Sequence, residues 1–364
     1  MRTLLKLALL AALIVATSSV HSTLGATAPV RVGPALTSIG PLAFGPDGVL
    51  FAADRQAATI YALNLGAQSA GARTGTADVA GITGKIAAML GTAPAEIAIN
   101  DLVVHPVSGN SFLAVTRGQG TNAAPALLRV DGAGSVSVVS LDNVSYTSVA
   151  MPNPAAASTT GRGGRTQSVT DMALSNGRLI VSGLSNEEFA SKLWSVPYPF
   201  AAADRGASVE IYHGNHGQLE TRSPVMAFLP MAVNGQPHVI ASYTCTPLVR
   251  FPMSSLRTGE KVVGTTIAEF GAGNQPLDMI QYQKDGQSFL LMSNSRHGVL
   301  KIPTTDFGSA KGITERVGGT AGVPYEKIAS MTGVEQLDKL DANRSIVIAT
   351  TATGDRNLTA VPLP

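Results

Sequence analysis

The chain has one cysteine, Cys245, so no disulfide can form within it. Small exported domains usually depend on such bridges. Here, roughly 340 residues can bury about three quarters of the surface of the unfolded chain, and burial alone can hold the core. Charge is also scarce, with only 14% of residues charged. The formal net charge of +2 includes Arg2 and Lys6, and without those two the basic residues equal the 24 acidic ones in number. Nucleic acids and anionic membranes both require a basic field, and neither is expected as a partner. No apolar run of spanning length follows residue 25, and no cysteine stands at the expected cleavage site for lipid attachment. Cys-x-x-Cys-His, His-Glu-x-x-His and Gly-x-Ser-x-Gly are all missing, which removes the motifs for covalent haem, zincin and α/β-hydrolase chemistry.

What is present begins with a leader. Met1, Arg2 and Lys6 form a basic start, Leu7 to Ala16 is an unbroken apolar run, and the small residues Ser22, Thr23, Gly25 and Ala26 follow. This is the plan of a secretory signal peptide, and its apolar run is too short to cross a bilayer. Residues 1–25 are therefore expected to be removed on export, leaving 26–364 as one soluble, monomeric domain, secreted or periplasmic.

Internal repetition sets the architecture. Six segments repeat the same order of signals, starting at Leu42, Leu102, Met172, Met226, Met279 and Met331: an apolar run, a turn, a β-forming run, a polar loop and another apolar run. In five of them the turn is Asp47-Gly48, Ser108-Gly109, Asn176-Gly177, Asn234-Gly235 or Asp285-Gly286. These pairs favour tight hairpins, because Gly, Asn and Asp tolerate positive φ. Third strands are expected at residues 59–63, 126–130, 192–196, 248–251, 299–302 and 358–361. Fourth strands are clearest at 135–141, 208–212, 265–270 and 313–317. Four antiparallel strands per unit of about 50 residues, repeated radially, make a six-bladed β-propeller. The chain ends just after the third strand of the last unit, so the N-terminal stretch Ala28 to Gly33 is expected to complete that blade and close the ring.

Gly45-Pro46-Asp47-Gly48-Val49-Leu50-Phe51-Ala52-Ala53-Asp54, followed by Thr59-Ile60-Tyr61-Ala62-Leu63, resembles repeats of the NHL and gluconolactonase (regucalcin-like) propellers. The likeness is strong in this blade and loose in the others. It implies a six-bladed fold with ligands at one mouth of the channel, and in gluconolactonase-like members a cation that activates water or polarises a carbonyl. It implies no particular reaction, because this architecture hosts many.

Three sets of residues could carry chemistry. His213, His216 and Glu220 lie in the connection between the third and fourth units, Cys245 in a loop of the fourth, and His297 in the equivalent loop of the fifth. All map to one sector of the face that carries these loops. Imidazole and thiolate suit zinc or copper, and a carboxylate can complete the shell or act as a base. Alternatively, His213, His216, Glu220, Asn294, Arg296 and His297 could line a polar pocket for a small organic ligand, with histidine and Glu220 as acid or base. A purely structural role for Cys245 and the loop histidines is the third reading. Separately, Asp101, Asp171 and Asp278 each precede the anchor residue of an innermost strand, and with Asn100 they could hold calcium through oxygen. The competing reading is that each carboxylate accepts hydrogen bonds from the neighbouring blade. His105 and His238 sit beside hairpin turns and read as structural, Trp194 as core, and Gly84 to Leu90 as a short helix. The sequence thus points to an exported propeller that binds a small ligand or metal ion, with metal-assisted hydrolysis as one possible activity. The alternative is a module that presents its loops to another exported protein. Those loops are mainly Gly, Ser, Thr, Asn and His and lack apolar anchors, which favours the small ligand.

Overall fold

The computed structural model describes residues 33–71, 75, 77–157, 164–245 and 247–364. Among these residues, six sheets of three to six strands stand in a ring as the blades of a propeller. We number the blades by the chain order of their innermost strands: Leu42–Phe44, Ile97–Val104, Asp171–Ser175, Val225–Val233, Pro276–Lys284 and Val334–Lys339. The hairpin chemistry is as the sequence implies. Both residues of Asp47-Gly48, Asn176-Gly177, Asn234-Gly235 and Asp285-Gly286 have φ between +49° and +76°. At the fifth pair Gly109 alone has positive φ, and His105 Nδ1 accepts a hydrogen bond from the Ser108 N–H. Trp194 is buried in the core and a helix forms at Ile82–Leu90.

The order of blades around the ring differs from their order in the chain. The innermost strand of blade 2 packs between those of blades 6 and 1, and blade 1 in turn neighbours blade 3. Blade 1 acquires its outer strand, Ser145–Ala150, only after the chain has built blade 2 and come back. The connection from blade 1 to blade 2 must therefore reach across to the far side of blade 2. On its way, Val79 pairs with Leu358 on the outer strand of blade 6, and the helix Ile82–Leu90 buries Ile82, Ile86 and Ala87 in the core shared by blades 6 and 2. The expected closing strand, 28–33, lies outside the described residues apart from Gly33. Among the described residues, blade 6's outer strand is bridged by Val79, where the crossing connection runs past that edge.

Three expectations at the chain's end need correction. The innermost strand of blade 6 begins at Val334 rather than at Met331. Residues 313–317 form no strand, and the fourth strand of blade 5 is Glu326–Lys327. Finally, the blades do not all have four strands. Among the described residues blade 6 has three, blade 4 gains Thr320–Gly322, and blade 3 gains Gln218–Glu220 and the parallel strand Lys261–Val263.

Six clusters of buried apolar side chains lie one at each blade interface, so the core is itself a ring. On the channel side the blades are tied by aspartates. Asp101, Asp171 and Asp278 each accept a hydrogen bond from the next N–H of their own strand, at 2.7–2.8 Å. Their second oxygens accept from the neighbouring blade: Leu42 N at 2.6 Å, Phe228 N at 2.8 Å and Leu337 N at 2.8 Å. Asp338 does the same, with Lys339 N and with Val104 N of blade 2 at 2.6 Å. Bulges at Ile99/Asp101 and Pro276/Asp278 fall where the carboxylates must be turned toward the adjacent strand. This geometry favours the blade-tying role for Asp101, Asp171 and Asp278. The later start of the blade 6 strand, at Val334, also explains why Asp338 does not precede an expected anchor residue as the other three do.

Burial raises the pKa of all four, to about 7 for Asp171 and about 6 for Asp338. In Asp101 and Asp278 the neighbouring carboxylates add to the rise. An unfolded Asp titrates near pH 4, so between about pH 4 and 7 the folded protein holds the Asp171 proton more tightly. Relative to Asp171→Asn, the wild type should therefore gain stability as pH falls from 7.5 to 5, as read by paired thermal melts. Asp171→Ala leaves the Met172 and Phe228 N–H groups without their acceptors, and urea titration should show a loss of about 3 kcal/mol.

Candidate functional site

Two loops meet at the rim between the outer strands of blades 3 and 4. The first is a hairpin joining Ala207–His213 to Gln218–Glu220, in register His213 to Gln218 and Ile211 to Glu220. His213 O accepts from His216 N at 3.1 Å and from Gly217 N at 2.8 Å, a turn that requires Gly217 at φ +69°. Gly214 is needed for another reason. A Cβ there would come within 2.8 Å of Val317 and 3.2 Å of Glu269. Residues 313–317 lie against this turn, with Val317 N donating to Gly214 O. The second loop follows the strand Gln236–Tyr243 and carries Cys245, whose N–H donates to Asn274 O at 2.8 Å.

These loops bring together most of the expected sector. One donor atom from each of His213, His216 and Cys245 lies within 4.8 Å of the others. Zinc bonds of about 2.0–2.3 Å imply donor separations of about 3.3–3.8 Å in a tetrahedral shell, so the three need shift by only about an ångström to share an ion. The histidine rings lie 3.9 Å apart, tilted by 35°. Glu220 Oε1 bonds His216 Nδ1 at 2.5 Å and stands 3.1 Å from His213 Nδ1, while Ser223 donates to Oε2. Burial would raise the Glu220 pKa, but His213, Ser223 and His216 outweigh it and hold the carboxyl at about 2. Glu220 is thus an anion across the neutral range and anchors both rings, as outer-sphere carboxylates do for metal-binding histidines.

His213 is the unusual member. It is 1% exposed, and among the described residues its Nδ1 meets Glu220 Oε1 at 3.1 Å outside good hydrogen-bond geometry, while its Nε2 makes no hydrogen bond. Its Nε2 stands 3.9 Å from Glu269 Oε2. Glu269, fully buried in Thr265–Phe270, accepts from Gly214 N at 2.6 Å and Asn215 Nδ2 at 2.8 Å. Burial still raises its pKa against those hydrogen bonds and His213. Sequence reasoning missed Glu269, although a lone carboxylate between Ala268 and Phe270 in an apolar strand was the available signal.

His297 stands apart from the three donors. Its Nε2 meets Phe270 O at 2.7 Å and its Nδ1 lies 3.3 Å from Lys327 Nζ. With Asn294 and Arg296 it lines a separate cavity of about 720 Å³ between blades 5 and 6. Asn294 Oδ1 is occupied there by the N–H groups of Arg296 and His297. Asn100 donates to Ile39 O and Thr116 Oγ1 and lines a third cavity, between blades 1 and 2.

No family model matches the chain, and no curated protein matches it. Among solved structures it is similar to an aldose sugar dehydrogenase of Streptomyces coelicolor in its PQQ-bound form, at 11% identity over 92% of this chain and 96% of that one, with a TM-score of 0.32. A glucose dehydrogenase matches at 12% identity, 92% and 98% coverage and a TM-score of 0.38. The virginiamycin B lyase of Staphylococcus aureus matches at 8% identity, 90% and 96% coverage and a TM-score of 0.37.

Cys245 adopts φ +62°, a left-handed conformation that costs a side-chain-bearing residue about 1–2 kcal/mol. Cys245→Gly should leave the metal-free protein at least as stable as the wild type. Cys245→Val, β-branched at the same φ, should destabilise it, and chemical denaturation of the two variants checks both outcomes.

Proposed function

We propose that this chain is an exported propeller that holds zinc or copper at His213, His216 and Cys245, and that the site serves metal-assisted hydrolysis of a small substrate. The observation that carries this reading is His213. A buried imidazole whose Nε2 has no hydrogen-bond partner is costly, and here it lies beside a second imidazole and a thiol, with Glu220 against its Nδ1.

Three protein donors leave a coordination position for water or substrate, which is the composition of catalytic rather than structural zinc sites. A bound ion would supply Lewis acidity at that position. His216 is 46% exposed along its side chain, so the site opens to solvent on that side. Glu220 keeps its charge near neutral pH and would orient the two ligands. Calcium at the channel aspartates has less support, because each oxygen already accepts a backbone N–H.

A second reading, docking of an exported partner, rests on Leu219 and Val263. They are exposed apolar residues on the two strands that flank the outer strand of blade 3.

Elemental analysis of the mature protein, purified without chelator or affinity histidines, should find near-stoichiometric zinc or copper, and His213→Ala/His216→Ala should lack it. Cobalt reconstitution should give a thiolate charge-transfer band that Cys245→Ser abolishes. Absence of metal after zinc loading of folded wild type would overturn the reading. Expression with the leader should yield an exported chain starting near residue 26, as measured by intact mass.

A further inference from the structure

A cavity of about 430 Å³ lies on the loop face where blades 1 and 2 meet the segment leading into blade 3, away from the rim site. Arg55 lines it, directly after the strand Leu50–Asp54. This side chain has an unusual set of partners. Its Nε donates to Thr166 O at 2.7 Å, and among the described residues it makes no other hydrogen bond and no ion pair. The adjacent carboxylate cannot serve as its counter-ion. Asp54 is fully buried and accepts from Thr37 N and Oγ1, Ser38 Oγ, Gln56 N and Ala57 N, so its charge is committed to locking the two loops that flank Arg55. Asp101 acts on Arg55 only through space, and its own oxygens are held by Leu42 and Leu102.

The route taken by the arginine is built into the backbone. A Cβ at Gly40 would lie 2.1 Å from Arg55 Cδ and 2.6 Å from Cγ, so only glycine leaves room for this side chain to pass. Burial lowers the Arg55 pKa, the sign of a cation that the protein desolvates without pairing. A guanidinium with its Nη groups uncommitted presents a planar fork that matches a carboxylate in two parallel hydrogen bonds. The surrounding wall offers hydroxyl-sized partners. Thr116 Oγ1 accepts from Asn100 and still has its own proton to donate. Asn100 Oδ1 and the exposed Gln56 side chain carry no hydrogen bond among the described residues.

We propose that this cavity binds a small hydroxylated organic acid, with its carboxylate on Arg55 and its hydroxyl groups on Asn100, Thr116 and Gln56. The inference is independent of the metal site, which lies between other blades.

The test uses D-galacturonate, its neutral parent D-galactose and inorganic phosphate as probes, with binding read by isothermal titration calorimetry on the mature protein. Saturable galacturonate binding is expected, with galactose at least about tenfold weaker, the effect of one charge-assisted pair. Arg55→Gln should weaken galacturonate by at least the same factor. Ala124→Glu, at an exposed lining position, leaves Arg55 in place and gives it an internal carboxylate. It should compete galacturonate away even if Arg55→Gln does not fold. Equal binding of galacturonate and galactose, phosphate binding in place of galacturonate, unchanged binding in Ala124→Glu, or no binding of galacturonate at all would each overturn the proposal.

Discussion

A carboxylate that accepts one N–H from its own strand and one from the next blade is the interaction on which this ring depends. Apolar contact between blades is non-directional and would tolerate sliding of one twisted sheet along another. Asp101, Asp171, Asp278 and Asp338 remove that freedom, because each fixes the register of two innermost strands at distances of 2.6–2.8 Å. The cost is visible in their protonation, since four acids around one channel are desolvated, and Asp101 and Asp278 also feel the other carboxylates. The N–H groups offset this only in part, which is why the pKa values stay high. The rim site inherits the fixed register. Asp171 and the Thr170 hydroxyl, which donates to Val225 O at 2.6 Å, tie blade 3 to blade 4, the pair whose outer strands carry His213 and Glu269.

Much of the fold was legible because hairpin chemistry is local. Asn-Gly and Asp-Gly between apolar runs specify where a strand reverses in four units, and the repeated order of apolar runs extends the pattern to six blades. The order of blades around the ring was not legible, because it depends on which apolar face meets which, and the repeats are too alike to encode neighbours. Uneven spacing gave a trace of it. The first two units are separated from their successors by longer stretches than the later ones, and those stretches hold the crossing connection, the helix Ile82–Leu90 and the returning strand Ser145–Ala150. Residues 313–317 misled for a similar reason. They alternate like a strand, but their N–H groups go to Thr266 O and Gly214 O, on the outer edge of blade 4 and the rim hairpin, instead of to a partner in blade 5.

At the rim, sequence order brought His213, His216, Glu220 and Cys245 to one place because they sit on adjacent loops of consecutive blades that remain neighbours in space. His297 is also on an adjacent blade, but its ring nitrogens are drawn to Phe270 O and Lys327, an outcome set by side-chain geometry that topology does not determine. Glu269 and Arg55 escaped notice because what marks them locally is slight. One is a charge in an apolar strand and the other an arginine after a strand end, and their meaning comes from partners 55 and 111 residues away.

Comparing the buried polar groups separates structure from function more sharply than residue type does. The chain satisfies Asp54 with five donor groups from four residues, each channel aspartate with two N–H groups, and Glu269 with Gly214 and Asn215. Incomplete satisfaction is not confined to one place, since buried atoms such as Trp194 Nε1, Ser242 Oγ and Ser345 Oγ also lack a hydrogen bond among the described residues, so it marks a site only where several polar groups converge. His213 is wholly buried with its Nε2 unbonded beside a second imidazole and a thiol, and Arg55 is half-buried at a cavity wall with a single bond to a carbonyl. Glycines shape both places, Gly214 letting Glu269 approach the His213 turn and Gly40 letting Arg55 pass. A backbone shaped to admit a polar group and then leave it unpartnered is physically reasonable where an external ligand completes the set, a soft metal ion in the first case and an organic anion in the second.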